Sequence, residues 1–220
     1  MIITEQKKLD EIVEKLAPYK KVLVVGCGHC ATVCQTGGED QVKQMAEKLK
    51  EARGPSGMVI NSAIVEEPCD VRIFKRDSKK FKKEFEDADV ILPMSCGVGV
   101  QTIAQLTGKV VVPALNTLFI GQVERIGKFE EMCRACGNCI LDQTGGICPI
   151  TRCAKGLLNG PCGGMSKGKC EVNNYTKDCG WVLIYNKLKE QGRLNEFRRY
   201  REPRDYALSG YPRSVDTRAA

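Results

Sequence analysis

Apolar positions recur at helical spacing through Leu9, Ile12, Val13 and Leu16, which predicts an amphipathic helix over residues 5–17. A continuous apolar run ending in glycine follows, "KVLVVG" (21–26), the mark of a buried strand. Helical spacing returns over 39–52 through Val42, Met45, Ala46 and Leu49, with Gly54-Pro55 and Gly57 expected to stop it. "MVINSAIVEE" (58–67) is β-branched and predicts a strand. "DSKKFKKEFEDA" (77–88) predicts a helix capped by Asp77-Ser78. "DVILPMSCG" (89–97) predicts a strand, 98–108 a helix, and "KVVVPAL" (109–115) another strand. Strand and helix alternating in units of roughly thirty residues imply parallel strands joined by crossover helices. Residues 1–126 are therefore expected to form a small doubly wound parallel α/β domain of three or four strands, in an order the pattern does not specify.

Near residue 127 the pattern stops. Residues 127–180 are rich in glycine and almost without periodicity, and eight cysteines fall between 133 and 179. Such a segment buries too little apolar surface to fold unaided, so metal ligation is expected to supply the missing free energy. Residues 181–220 return to a helix marked by Trp181, Ile184, Tyr185, Leu188, Leu194 and Phe197, with Gly192 as its weak point. A basic tail follows from Arg198, punctuated by Pro203, Gly210 and Pro212. The sequence suggests an extended tail, and a role for the helix stripe in docking a partner.

Thirteen cysteines in 220 residues change the picture. The amino-terminal stretch lacks the apolar core of a secretory signal, and no run reaches the ~18 apolar residues of a membrane helix. The expected location is the cytoplasm, where thiols stay reduced and dense cysteines point to metal or redox chemistry. An odd count also argues against a closed disulfide framework. The net charge of +7 would be largely removed by metal-bound thiolates, so it is not read as a nucleic-acid signal.

The cysteines fall into three sets. Cys27, Cys30 and Cys34 follow the first predicted strand in "GCGHCATVC", and Cys96 ends another in "PMSCG". Parallel strands put their carboxyl ends on one rim, where ligands of such sheets collect. These four thiols can converge there around a [4Fe–4S] cube. Gly26, Gly28 and Gly97 are expected to let backbone N–H groups approach its sulfides. Gly26-x-Gly28-x-x-Ala31 also fits a dinucleotide turn, but the acidic residue expected about 20 positions on would fall inside the 39–52 helix. Zinc is the other alternative. His29, the single histidine, is read as a neighbour of the site, with ligation or tuning of its potential as the alternative.

Cys133, Cys136 and Cys139 have the ferredoxin triplet spacing, and Cys148 precedes proline as ferredoxin ligands do. The longer gap before Cys148 leaves the fourth ligand open between it and a later cysteine. Cys153, Cys162, Cys170 and Cys179 match no derived spacing; on number alone they suit zinc or a further cluster. Cys69 has no evident partner and is read as a core or free thiol.

The stretch from Cys133 to Leu194, and above all "CAKGLLNGPCGG" and "DCGWVLIY", resembles the cysteine-rich methylenetetrahydrofolate reductase C-terminal domain family. That domain occurs as the small subunit of two-subunit reductases of anaerobic bacteria, notably those using the acetyl-CoA pathway. "GCGHCATVCQTGG" and "PMSCGVGVQT" resemble the same subunits. The resemblance implies a TIM-barrel partner carrying FMN, which reduces methylenetetrahydrofolate to methyltetrahydrofolate. It implies two or three [4Fe–4S] clusters in the small subunit, with zinc in place of one as an option. Further electron-transfer subunits or a ferredoxin would complete the chain. The expected function is electron transfer without catalysis. The alternatives are a zinc-stabilised interaction subunit and a stand-alone nucleotide-binding enzyme.

Overall fold

The computed structural model describes residues 1–53 and 58–217; the predicted helix stop at Gly54, Pro55 and Gly57 lies outside them. The chain divides into two compact units, Met1–Glu130 and Glu131–Ala220.

The first unit is α/β. Strands β2 (Lys21–Cys27), β3 (Val59–Val65), β4 (Val90–Met94) and β5 (Val110–Val111) form a parallel sheet in the order β3-β2-β4-β5. The chain goes from β2 outward to β3, then crosses back to β4 on the other side, which creates a topological switch point between β2 and β4. Alternate residues of β2 point to opposite faces. Val22 and Val24 pack with Ile12 and Leu16 of helix α1 (Leu9–Leu16) and with Val42, Met45 and Leu49 of a second helix, Glu39–Arg53. Leu23 and Val25 pack with Phe74, Phe85 and Ile103 on the reverse face. A continuous apolar run is thus what a strand covered on both sides requires, and each fully buried Val or Leu contributes about 1.5–3 kcal/mol.

A second, antiparallel sheet was not anticipated. Its order is β1-β6-β7, from Ile2–Gln6, Leu115–Arg125 and Lys128–Cys133. β1 is only five residues long and runs directly into α1, so its period of two is lost beside the helix's period. The strand expected over 109–115 is really β5 followed by the start of β6, with Pro113 between them.

The helix expected over 77–88 also divides. In chain order, the one-turn helix α2 (Cys30–Val33) and α3 (Glu39–Arg53) precede α4 (Val71–Asp77), a 3-10 turn (Ser78–Phe81) and α5 (Lys82–Asp87). Asp70 caps α4 by accepting from the N–H groups of Arg72 and Ile73. Asp77 is no helix cap. Its buried carboxylate accepts from the Glu66 N–H at 3.0 Å, from Arg76 at 2.8 Å and from Lys80 at 3.1 Å. The Arg76 guanidinium beside it outweighs burial and holds the carboxyl well below the usual carboxylate range. A depressed carboxyl stabilises the fold above its unfolded pKa of about 3.9 and loses that contribution as pH falls from about 5 towards its folded value. Asp77→Ala is expected to cost about 2–3 kcal/mol near neutral pH, as loss of charged hydrogen bonds does, and less at strongly acid pH, where only the neutral hydrogen bond to the Glu66 N–H and the packing remain to be lost. Urea unfolding of both chains at several pH values checks this.

In the second unit, α7 (Pro149–Arg152), α8 (Gly180–Glu190) and α9 (Leu194–Arg198) are short islands in irregular chain. The helix predicted to run through Gly192 breaks there, at φ +68°, a conformation glycine adopts freely. Trp181, Ile184 and Leu188 are not a docking stripe: all three are buried, at 1% exposure or less, in the unit's own small core. The tail is not free either. Arg201 is buried 5.6 Å over the Trp181 ring and donates to the carbonyls of Gln143, Leu158 and Glu196.

Candidate metal centres

The first site is built on the carboxyl rim of the parallel sheet. The ladder pairs Cys27 with Val65 and Gly26 with Met94, so β2, β3 and β4 end at one level. Cys27 closes β2 and is buried; Cys30 opens α2 and is half-buried. Cys96 is buried at the residue before α6 (Gly97–Thr107), and its side chain makes no capping hydrogen bond. The amino end of that 11-residue helix favours anionic sulfur. Burial pushes the Cys27 thiol up. Backbone hydrogen bonds at His29 and Ala31 work against that, while the neighbouring Cys30 and Cys96 add to it. Cys69, read from sequence as a thiol without partners, is pushed up by burial first and then by Cys96 and Cys27. It therefore stands within electrostatic reach of this set. Cys34 is buried, with its Sγ 3.7 Å from the carbonyl oxygen of Ile2 on β1.

The loop between α2 and α3 is fixed from two sides. Thr36 meets Thr4 hydroxyl to hydroxyl at 2.7 Å, and Gln6 donates to its carbonyl at 2.9 Å. Gly37 accepts from the Cys27 N–H at 2.9 Å; a Cβ at Gly37 would lie 2.0 Å from the Met94 carbonyl oxygen. The other glycines of the site serve the fold. Gly26 lies within β2, where a Cβ would strike Ile64 and Val42. The Gly28 N–H donates to Val65 and the Gly97 N–H to Thr117 Oγ1. His29 is exposed, its Nε2 3.7 Å from Glu67 Oε1.

The second unit gathers the other eight cysteines around two cavities. Cys133, Cys136, Cys139 and Cys148 line one of about 250 Å³. The triplet loop turns through Ala135 at φ 48° and Gly137 at φ 82°. Sequence reasoning missed the role of the tail here: Arg204 donates to the Cys136 and Asn138 carbonyls, and Arg213 to the Ala135 carbonyl. Burial resists ionisation of Cys136, but a backbone hydrogen bond at Asn138 and the Arg204 charge prevail, so its thiol is lowered.

Cys153, Cys162, Cys170 and Cys179 line a cavity of about 20 Å³ beneath Trp181. The single turn of α7 separates the two sets, with Cys148 at its start and Cys153 at its end. Cys162 lies 3.6 Å from Glu171, which pairs with Lys155. Cys170 and Cys179 are held by backbone hydrogen bonds to Lys177 and Gly168.

Among the described residues, no three Cys, His, Asp or Glu side chains converge on a single-ion position. A four-iron cube makes no such demand, because each thiolate binds a different iron. Four thiolates are its donor set; Cys133, Cys136, Cys139 and Cys148 offer that number around one cavity, and Cys27, Cys30 and Cys96 offer three at the sheet rim, with Cys34 or Cys69 available as a fourth. In the third set the four thiols line one small cavity without converging on a single-ion position; on number alone they suit zinc or a further cluster.

The chain is thus an α/β protein with cysteine-rich segments, its thiols placed at strand ends in the first unit and along two cavities in the second. Residues 112–207 match the family model described as "Methylene-tetrahydrofolate reductase C terminal", so this part of the chain is similar to that domain. No curated protein and no solved structure matches the chain. No helix among the described residues is long and apolar enough to cross a membrane.

Proposed function

We propose that this chain is the electron-transfer subunit of a methylenetetrahydrofolate reductase, serving an FMN-bearing catalytic partner. The grouping of Cys133, Cys136, Cys139 and Cys148 around one cavity of about 250 Å³ carries the reading, together with the family likeness of residues 112–207. Iron–sulfur clusters, when bound, supply one-electron transfer at potentials set by charge, hydrogen bonding and exposure. The chain's own contribution is to hold and tune them. Buried Cys27 and Cys96 restrict water at the first site, while Arg204 and the amino end of α6 offset thiolate charge. By donor number, Cys153, Cys162, Cys170 and Cys179 would hold a structural zinc.

Anaerobic purification is expected to give brown protein containing iron, sulfide and zinc, with an EPR signal after dithionite. The isolated chain is expected to show no methylenetetrahydrofolate turnover. Colourless protein holding zinc alone would favour a structural subunit instead, and folate turnover by the single chain would refute the electron-transfer assignment.

A further inference from the structure

We infer that the fourth thiolate of the first site is Cys69, and that Cys34 is a packing thiol of the fold. The inference rests on the cluster-binding reading above and concerns which sulfur completes the cage. Strands β3, β2 and β4 are adjacent and parallel, so the loops leaving their carboxyl ends share one rim. Cys27 ends β2, Cys96 follows β4, and Cys69 lies in the loop after β3. Linear spacing favours Cys34, whereas strand order favours Cys69.

The Glu66–Asp70 loop is pinned over that rim. The Glu66 N–H is held by Asp77 at 3.0 Å, and the Asp70 N–H closes a turn onto the Glu67 carbonyl at 3.0 Å. On one side Glu67 faces His29, at 3.7 Å, in the loop between Cys27 and Cys30. On the other, Pro68 abuts the first turn of α6: a Cβ placed on Gly99 would sit 3.1 Å from Pro68 Cγ. The two residues before Cys69 thus neighbour His29, between Cys27 and Cys30, and the helix that begins just after Cys96. Cys69 is itself exposed and Cys30 half-buried, which leaves an open side through which iron and sulfide can enter.

Cys34 differs in its surroundings. It is as buried as Cys27 and Cys96, but it ends α2, which packs against β1, a strand of the other sheet. Its Sγ is directed at the Ile2 carbonyl, 3.7 Å away, within reach of a weak S–H donor. A cysteine whose sulfur is turned to a backbone carbonyl in this way packs as a small apolar side chain.

Anaerobic reconstitution of the full chain with ferrous iron and sulfide tests this, comparing Cys69→Ser and Cys34→Ser with wild type. Cys69→Ser is expected to lose the irons of one cube and its share of the EPR signal, while Cys34→Ser retains both. Full iron in Cys69→Ser overturns the assignment of Cys69; equal losses in the two variants overturn that of Cys34. A measurement without mutation guards against misfolding. Alkylation read by peptide mass spectrometry should spare Cys69 in the loaded wild type and label it after chelation, and equal labelling in both states overturns the proposal. Wild type that binds no iron at all would sink the electron-transfer reading itself, which separates the two failures.

Discussion

On the metal-bound reading proposed above, chelation of the intact chain is expected to unfold residues 131–217 while the parallel sheet of the first unit stays protected. The first unit buries two apolar clusters, one on each face of its sheet. The second has a single small cluster of Cys179, Trp181, Ile184 and Leu188, and two of its helices are no longer than five residues. So little buried surface cannot offset the backbone entropy of ordering the segment, about 1–2 kcal/mol per residue. Ligation can: structural zinc in small cysteine sites contributes roughly 10–16 kcal/mol near neutral pH. Hydrogen exchange read by mass spectrometry should show amides of 148–190 losing protection on chelation, with those of β2 and β4 unchanged. Undiminished protection across 148–190 would mean that side-chain packing alone suffices.

Trp181→Ala is expected to cost the second unit about 3–5 kcal/mol, the range for truncating a buried large aromatic. Trp181 is 1% exposed. It packs edge-to-face against Phe197 at 5.9 Å, donates from Nε1 to the Leu157 carbonyl at 3.0 Å and lies beneath the Arg201 guanidinium. It also lines the third thiol cavity. The damage should therefore spread to metal retention there and to the tail, which Arg201 ties down. Trp181→Phe keeps a ring and forfeits the hydrogen bond, so its cost should be nearer 1 kcal/mol. Denaturation of the metal-loaded proteins, followed by exchange at 148–190, measures both.

The α/β architecture was legible because β2 and β4 are short apolar runs, covered on both faces and separated by helices of clear periodicity. β1 was hidden by its brevity and by the helix that follows at once. Asp77 has the composition of a cap, yet it serves a backbone N–H eleven residues upstream, a tertiary choice that local sequence does not encode. The cysteine sets were visible as counts and spacings. Invisible were the partners that distance in sequence conceals: Arg204 beside Cys136, Arg201 over Trp181, and Cys69 among the rim thiols. A rule was available for Cys69, since it follows a predicted strand as Cys96 does. The compact Cys27–Cys34 spacing drew attention from it.

Because the ladder fixes where β2, β3 and β4 end, the crossover helices can lengthen or shorten without moving the sulfurs of the rim. Evolution is then free to scatter those cysteines along the chain, and a search keyed to a fixed linear motif would pass over relatives with the same rim thiols. A slip of one residue between β2 and its neighbours, by contrast, would turn Cys27 to the opposite face of the sheet. Hydrogen-bond register, more than motif length, is what inheritance must preserve.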